Sequence, residues 1–467
     1  MKHLKYYLLP VVTLLAAGMC SCNDDDTYFE DDAQNSPMKV TQVYLEDYKS
    51  SVPDRPVDFA RLGQLIRLEG EGLYGVKKVY INGYDTYFNR AYVSDKSMLV
   101  TINSKTPITE CEPEQRDKIR LVKDGSECTI DLVIRAASPT VSSVSNTLPR
   151  PGEKVTVYGE GFQETTLITL PGGVKVTEGI ESDDEEGLWF SFTMPDGVTA
   201  GGSIEAVNAN GVAKTPAYFN ERRGMILDCD GTGAFGNWSA TYDPAECVDD
   251  PAGTGRGLCI PAIPASVLAA NGSLAAGRQG NGWFTAGNDE PTDDWARMYE
   301  LIPWNTPTSE IALQFDVLCP DPLVTGVLEF TLQNNLSNYG FGTSETSADY
   351  SSAYAVCWVP WMVDGEFTPF QTKEWITVTI PITNIGIYQN VKEGYVFQDV
   401  VAHRNAGSYR NFGMFFVNKD VEYTDGNTYP ATDFNQGLYV DNLRIVPFKD
   451  FTVSDFPEDE EDDTTEE

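Results

Sequence analysis

Three scarcities in this 467-residue chain narrow what it can do. It has two histidines, His3 and His403, and no Gly-x-Ser-x-Gly sequence, so beyond the N-terminal segment only His403 could serve as the base of a Ser-His-Asp triad. It has 33 basic residues against 70 acidic ones, and the net charge of −37 argues against nucleic acid and anionic lipid surfaces as partners. After the N-terminal segment, no uninterrupted apolar run is long enough to cross a bilayer.

The cysteines form no metal-binding pattern. Seven of them follow Cys22, and their spacing fits no zinc site. Cys111–Cys128 is one candidate disulfide within a single domain, and buried free thiols are the alternative.

The N-terminus carries an export signal. A basic start (Lys2, Lys5) precedes an apolar run over residues 6–19, which is too short for a mature transmembrane helix and predicts a signal peptide over residues 1–21. The small Ser21 before Cys22 resembles a bacterial lipobox, which implies lipidation of Cys22; Cys20, after the bulky Met19, is the alternative. The acidic linker, residues 22–37, resembles the signal that carries Bacteroidetes lipoproteins to the outer face of the outer membrane.

The rest of the chain is predicted to be all-β, since no long stretch shows helical periodicity. Residues 63–73 (GQLIRLEGEGL) match residues 152–162 (GEKVTVYGEGF): each has a glycine, an alternating strand and Gly-Glu-Gly before a large apolar residue. This repeat resembles the IPT/TIG immunoglobulin-like domain, which implies tandem small sandwiches over residues 38–137 and 138–222.

A third unit is predicted over residues 223–449. Its strands alternate plainly at 311–317 and 376–380, and a closing strand follows at 438–445, which indicates a larger jelly-roll sandwich of two sheets. Residues 450–467 are strongly acidic and are predicted to be a disordered tail.

These features together resemble a known family, the surface glycan-binding proteins (SGBP-B type) of Bacteroidetes polysaccharide-utilisation loci, with a C-terminal xyloglucan-binding domain. In the third unit the resemblance rests on residues 358–361 (WVPW), residues 372–381 (TKEWITVTIP) and the closing strand. It implies a non-catalytic lipoprotein on the extracellular face of the outer membrane. The implied ligand is a polysaccharide, such as a neutral plant β-glucan or xyloglucan, retained for a Sus-type porin and its SusD-like partner.

Seven of the eight tryptophans lie in the third unit, where aromatic faces and amides suit neutral sugars. Alternation over residues 354–361 places Tyr354 and Trp358 on an outer face, and Pro360 is expected to end the strand and leave Trp361 at a rim. The predicted glycan-binding residues are Trp358, Trp361, Tyr339, Gln333, Asn335 and Tyr354, with Trp304 and Trp295 as second-rank candidates.

Other functions stay open on the sequence alone. A glycoside hydrolase or lyase of the same locus would need paired carboxylates, and the abundant acids do not exclude them. A protein-binding adhesin fits the tandem immunoglobulin-like domains but leaves the tryptophans unexplained. No cofactor is expected beyond a structural Ca²⁺, for which Asp228, Asp230 and Asp441 are candidate ligands, although Asp441 could instead be buried and hydrogen-bonded. We expect a monomer.

Overall fold

The computed structural model describes residues 36–46, 55–136, 138–232, 235–236, 246–253, 255–260, 262, 282–285, 291–333, 354–363, 365–407, 410–417, 421–422, 427–435 and 437–448. The predicted lipidation site Cys22, the glycan candidates Asn335 and Tyr339, and the acidic tail lie outside these ranges. None of the described helices has the length and apolar character needed to span a membrane.

The first ten strands form an immunoglobulin-like module. Two four-stranded antiparallel sheets, of order β2-β1-β4-β7 and β6-β5-β8-β9, enclose its core, and β3 pairs in parallel with β10. The strands are β1 Lys39–Leu45, β2 Arg55–Pro56, β3 Phe59–Arg61, β4 Leu65–Glu71, β5 Lys78–Ile81, β6 Tyr84–Thr86, β7 Ser97–Thr101, β8 Lys118–Lys123, β9 Ser126–Asp131 and β10 Val133–Arg135.

A second module of the same kind follows. Its two four-stranded sheets have the orders β11-β12-β16-β15 and β14-β13-β17-β18. The strands are β11 Thr140–Val144, β12 Lys154–Glu160, β13 Leu167–Leu170, β14 Val174–Val176, β15 Glu181–Ser182, β16 Trp189–Thr193, β17 Glu205–Asn208 and β18 Gly211–Lys214.

The glycines of the sequence repeat have matching roles in both modules. A Cβ on Gly70 would lie 1.9 Å from the carbonyl oxygen of Lys39, and one on Gly159 would lie 1.9 Å from that of Thr140. Each glycine therefore lets a bulged partner strand approach closely. The second glycine of each Gly-Glu-Gly has a positive φ, +70° and +78°, and turns the chain so that the next apolar residue enters the core.

The C-terminal unit is a larger sandwich. One sheet has the order β21-β22-β33-β24-β29, with β19 also paired to β33, and the other has the order β20-β23-β30-β25-β26. The strands are β19 Met225–Leu227, β20 Phe235–Gly236, β21 Glu246–Asp249, β22 Arg256–Ile260, β23 Gly282–Thr285, β24 Ile311–Leu318, β25 Val327–Thr331, β26 Ala355–Trp358, β27 Met362–Val363, β28 Glu366–Phe367, β29 Ile376–Pro381, β30 Gly413–Val417, β31 Val421–Glu422, β32 Thr428–Tyr429 and β33 Leu438–Pro447.

Short helices complete the fold. The α-helix α1, Phe397–Ala406, packs its Phe397, Val400 and Val401 into the sandwich core. The 3-10 helices are Arg90–Tyr92, Pro171–Gly173, Pro291–Asp293, Trp295–Glu300, Thr308–Glu310, Ile382–Asn384, Gly386–Gln389 and Val391–Glu393. The described chain is thus dominated by paired strands, and the prediction of an all-β protein is confirmed. The predicted domain boundaries stay predictions.

The second module and the C-terminal sandwich belong to one compact unit. On β24 the alternate residues Ile311 to Val317 fill the sandwich core as predicted, while the opposite side of the strand is buried as well. Ala312 and Val446 join the apolar core of the second module. The outer face of this sheet is therefore an interface between the two sandwiches.

A buried polar network lies beside that apolar contact. Arg444 donates to the hydroxyl of Thr147 (2.6 Å) and pairs with Asp316 (3.3 Å). The hydroxyl of Thr377 donates to Asp316 (2.7 Å), and the amide of Thr377 donates to the carbonyl of Ser145 (2.8 Å). Burial lowers the pKa of Arg444, and its contacts with Asp316 oppose that shift.

Of the two alternatives for Cys111 and Cys128, the structure has the free thiols. The disulfide joins Cys229 to Cys247 across a Cα–Cα distance of 5.6 Å. The bridge ties the segment after β19 to the edge strand β21. The sequence could not select this pair, because the two residues come together only when β19 and β22 both pair with β33 and β21 pairs with β22.

The candidate calcium ligands Asp228 and Asp441 accept hydrogen bonds. Asp228 Oδ1 accepts from the backbone amides of Asp230 and Thr232 (2.9 and 2.8 Å), and Asp441 Oδ1 accepts from the amide of Cys229 (2.8 Å). Burial raises the pKa of Asp441 to about 7. No group of three or more His, Cys, Asp or Glu side chains with the geometry of a metal site occurs among the described residues.

Candidate functional site

Trp358 on strand β26 points toward the sandwich core. The prediction that it lies on the outer face was therefore wrong. Trp358 pairs with Leu328 and Val356 pairs with Phe330, so these residues share the side of the sheet that faces the other sheet. The Trp358 ring packs edge-on against Phe315 at 5.3 Å. The sequence suggested the reverse because Ala355 and Cys357 resemble a tightly packed inner face. They lie instead opposite Thr331 and Glu329, on the far side of the sheet.

Trp361 is buried, so the expectation that it stands at a rim is wrong. It is 2% exposed, and its indole N–H donates to the carbonyl of Gly326 at 2.7 Å. Strand β26 does end before Pro360, as expected, but the chain then turns Trp361 beneath the β27–β28 hairpin. There it contacts Phe367 (5.9 Å between ring centroids) and Tyr429 (5.7 Å).

Trp295 is likewise a buried residue. The Arg404 guanidinium lies over its ring at 4.0 Å, and Phe412 packs against it. Arg404 also donates to the carbonyls of Arg410 (2.6 Å) and Leu332. This cation thereby joins α1 to the end of β25, and its burial lowers its pKa to about 9. Trp295 serves this internal junction and is not available to a ligand.

Gln333 is also enclosed. Its amide nitrogen donates to the carbonyl of His403 at 2.6 Å, and 4% of the residue is exposed. Alternation places Thr331, at the end of β25, and Gln333 on the same side of the chain, and both side chains are buried. Alternation identifies the polar side of a strand without showing what covers it.

Tyr354, by contrast, retains partial exposure at the start of β26. Its ring lies 6.0 Å from that of His403, which in turn contacts Tyr395 (5.7 Å) and Tyr388 (5.9 Å). We call Tyr354, Tyr388, Tyr395 and His403 the His403 cluster. Tyr388 is its buried base, while the other three are half-buried. The cluster thus gathers rings from α1, from the 3-10 helix Gly386–Gln389 and from the residue before β26.

A hydrogen bond fixes the imidazole of this cluster. The Tyr388 hydroxyl lies 3.0 Å from Nδ1 of His403, and burial raises the pKa of Tyr388 well above its ordinary value. The imidazole tautomer determines which of the two groups donates in this bond. The cluster therefore combines aromatic surface with an imidazole held by a hydrogen bond to Tyr388.

The sequence did not assign His403, Tyr388 or Tyr395 to a site. His403 lies on α1, whose apolar residues are not concentrated on one face, so helical periodicity gave no signal there. The three residues meet only through tertiary packing. The sequence signal that remained was compositional: aromatic and histidine side chains within residues 388–403.

Trp304 is the exposed tryptophan among those of the sandwich whose side chains the structure describes. It is 56% exposed, and its own carbonyl accepts from the amide of Gln398 at 2.8 Å in the first turn of α1. Pro303, which precedes it, has a φ fixed by its ring. The indole of Trp304 is therefore exposed to water, while its backbone is held by a hydrogen bond from the first turn of α1.

These contacts sort the predicted residues by what they can do. Trp304 and Tyr354 retain surface for a ligand, and Trp358 is half-buried against core rings; Trp361, Trp295 and Gln333 are enclosed. Aromatic faces beside uncharged polar groups bind the C–H faces and hydroxyls of neutral sugars. The arrangement is suited to holding such a ligand.

Comparison with known proteins relates the C-terminal sandwich to a described domain family. Residues 219–447 match the family model described as the surface glycan-binding protein B xyloglucan binding domain. A 167-residue stretch is 28% identical to an IPT/TIG domain-containing protein of Bacteroides ovatus, covering 36% of this chain. The matched stretch spans 32% of the relative's length, so this chain covers about a third of that protein.

A solved structure shares the overall fold. The surface glycan-binding protein PbSGBP-B from Prevotella bryantii superimposes with a TM-score of 0.62 at 20% identity, over 89% of this chain and 99% of that one. At this identity the likeness concerns the fold, and it extends across the immunoglobulin-like modules as well as the C-terminal sandwich.

Proposed function

We propose that this chain is a surface glycan-binding protein of the B type that retains a neutral polysaccharide without cleaving it, since residues 219–447 match the family model of the xyloglucan binding domain of such proteins. The observation that carries the proposal is the match of this domain to a glycan-binding family. We expect a neutral plant β-glucan or hemicellulose, with xyloglucan as the first candidate. The net charge of −37 disfavours a polyanionic polysaccharide.

The described surface supports a contact through ring faces. Trp304 offers an exposed indole, and the His403 cluster offers half-buried rings with a fixed imidazole. Each aromatic contact contributes about 0.5–1.5 kcal/mol beyond area burial, and association entropy offsets part of that gain. A few such contacts correspond to an affinity of roughly micromolar or weaker.

Weak individual sites suffice when the protein is displayed in many copies. We propose that Cys22 carries the lipid anchor and that the protein faces the exterior of the outer membrane. A long polysaccharide would then meet several molecules at once, and avidity would exceed the affinity of one site. A Sus-type porin with its SusD-like partner would receive the retained chain.

The test uses the chain from Cys22 to its C-terminus in affinity electrophoresis. The gels contain xyloglucan, mixed-linkage glucan, or an acidic pectin as the charge control, and a reducing-end assay follows each incubation. We expect retardation by a neutral glucan, none by pectin, and no new reducing ends. Retardation by no polysaccharide would contradict the proposal and favour the protein-binding adhesin. Release of reducing ends would favour a hydrolase.

A further inference from the structure

The β27–β28 hairpin displays an aromatic ring that the site above does not use. Phe367 is 49% exposed at the end of β28, and its ring is nearly parallel to that of Tyr429 on β32, with 10° between their planes and 6.3 Å between their centroids. Large apolar side chains at such exposure mark interaction surfaces when they occur together with other rings.

The ring pair is held from below. Trp361 contacts both rings, and its indole is fixed by the hydrogen bond to Gly326. The hairpin is closed by Gly365 at a φ of +83°, and the amide of Thr368 donates to the Trp361 carbonyl at 2.9 Å. A ring that is already oriented loses little rotational freedom when a ligand stacks on it.

The surroundings favour a sugar over a protein. Phe367 exposes about half of the ~150–250 Å² that an aromatic side chain can bury, whereas a stable protein interface needs ~800 Å² on each side. Glu366 and Thr368 flank the ring and are exposed, so a carboxylate and a hydroxyl can accept and donate hydrogen bonds to sugar hydroxyls. The negative charge of Glu366 suits an uncharged pyranose better than an acidic one.

The location relates this ring pair to the His403 cluster. Strand β26 begins just after Tyr354 and ends at Trp358, three residues before Trp361. Four residues of strand correspond to ~13 Å. The two aromatic surfaces therefore lie toward opposite ends of one edge strand, a separation that one extended polysaccharide can cover.

We propose that Phe367 and Tyr429 form a second sugar-stacking contact for the neutral polysaccharide, at the Trp361 end of β26. This inference rests on the proposed function. It adds a ligand contact that the sequence did not indicate, because Phe367 becomes distinctive only through its exposure above Trp361.

The experiment measures xyloglucan binding by isothermal titration calorimetry, with mixed-linkage glucan as the second probe. Phe367→Ala and Phe367→Leu are compared with Val363→Ala, a control on the same hairpin with the same 49% exposure. We expect about three- to tenfold weaker binding for both Phe367 variants and less than about a twofold change for the control. Phe367→Leu keeps apolar bulk on Trp361, and a thermal melt identifies any variant that fails to fold.

The outcomes separate the two proposals. Binding by the Phe367 variants within about twofold of the wild type, while the wild type binds, overturns the second contact and leaves the proposed function intact. An equal loss in Val363→Ala also overturns it, because the effect would then belong to the hairpin as a whole. If the wild-type chain binds neither glucan, the proposed function itself fails.

Discussion

The two sheets of the C-terminal sandwich use their outer residues differently. The sheet that contains β24 and β33 covers its outer face with the second immunoglobulin-like module, and polar side chains such as Asp316 and Arg444 are buried there. Near the edge strand β26 of the other sheet, Tyr354 and, on the β27–β28 hairpin, Phe367 remain partly in water. Residue type alone thus misleads: polar residues form a junction, and exposure distinguishes the rings that a ligand can reach from those packed in the core.

The largest expected effect lies at the junction. Arg444→Ala would leave Asp316 as a buried charge without its cation, which costs about 3–5 kcal/mol. Urea unfolding followed by tryptophan fluorescence should show a lower midpoint. Lys154→Ala, which removes an exposed ion pair with Glu181, should leave the midpoint unchanged. Equal midpoints for the two variants would mean that the network does not stabilise the unit.

The second largest effect on stability distinguishes Trp358, which alternation predicted to face a ligand, from Trp304, which the structure shows to be exposed. Trp358→Ala removes a ring packed against Phe315 and Phe370, so we expect a loss of about 2–4 kcal/mol in the free energy of unfolding. Trp304→Ala should change it by less than about 0.5 kcal/mol, since that ring is exposed. If Trp358→Ala kept full stability but lost polysaccharide binding, the outer-face assignment made from alternation would be right after all.

A smaller effect concerns pH. The folded-state pKa of Asp441 is about 7, above its unfolded value, so the folded protein keeps this proton while the unfolded chain releases it. Stability from this group is present at low pH and falls as pH rises from about 4 to 7. The Asp441→Asn side chain can still accept a hydrogen bond from the Cys229 amide. We expect this variant to lose the pH dependence of stability that Asp441 causes. Its free energy of unfolding at pH 7 should be about 1–2 kcal/mol higher than that of the wild type.

Urea unfolding of wild type and Asp441→Asn at several pH values between 4 and 8 measures this difference. The gain should shrink toward pH 4, where both forms are uncharged at this position. A difference that stays constant across the range would place the effect in hydrogen bonding and not in ionisation.

The sequence predicted local backbone geometry better than it predicted which parts of the fold cover each surface. Gly70 and Gly159 were recognisable because a close strand approach and a turn need glycine wherever they occur. The alternation of β24 was correct for the inner residues, but Gln314 and Asp316 are buried by another module, which no local pattern encodes. The prediction that Trp361 stands at a rim was wrong for a similar reason, since Pro360 indicates that the strand ends but not in which direction the chain turns.

The proposed function depends most on whether an exposed ring of the sandwich, and not its packed tryptophans, holds the polysaccharide. The direct measurement is xyloglucan titration calorimetry of Trp304→Ala, with Val391→Ala as a control that is 66% exposed. We predict at least about fivefold weaker binding for Trp304→Ala at unchanged melting temperature, and wild-type binding for the control. Trp304→Ala that binds as tightly as a binding-competent wild type would contradict the claim.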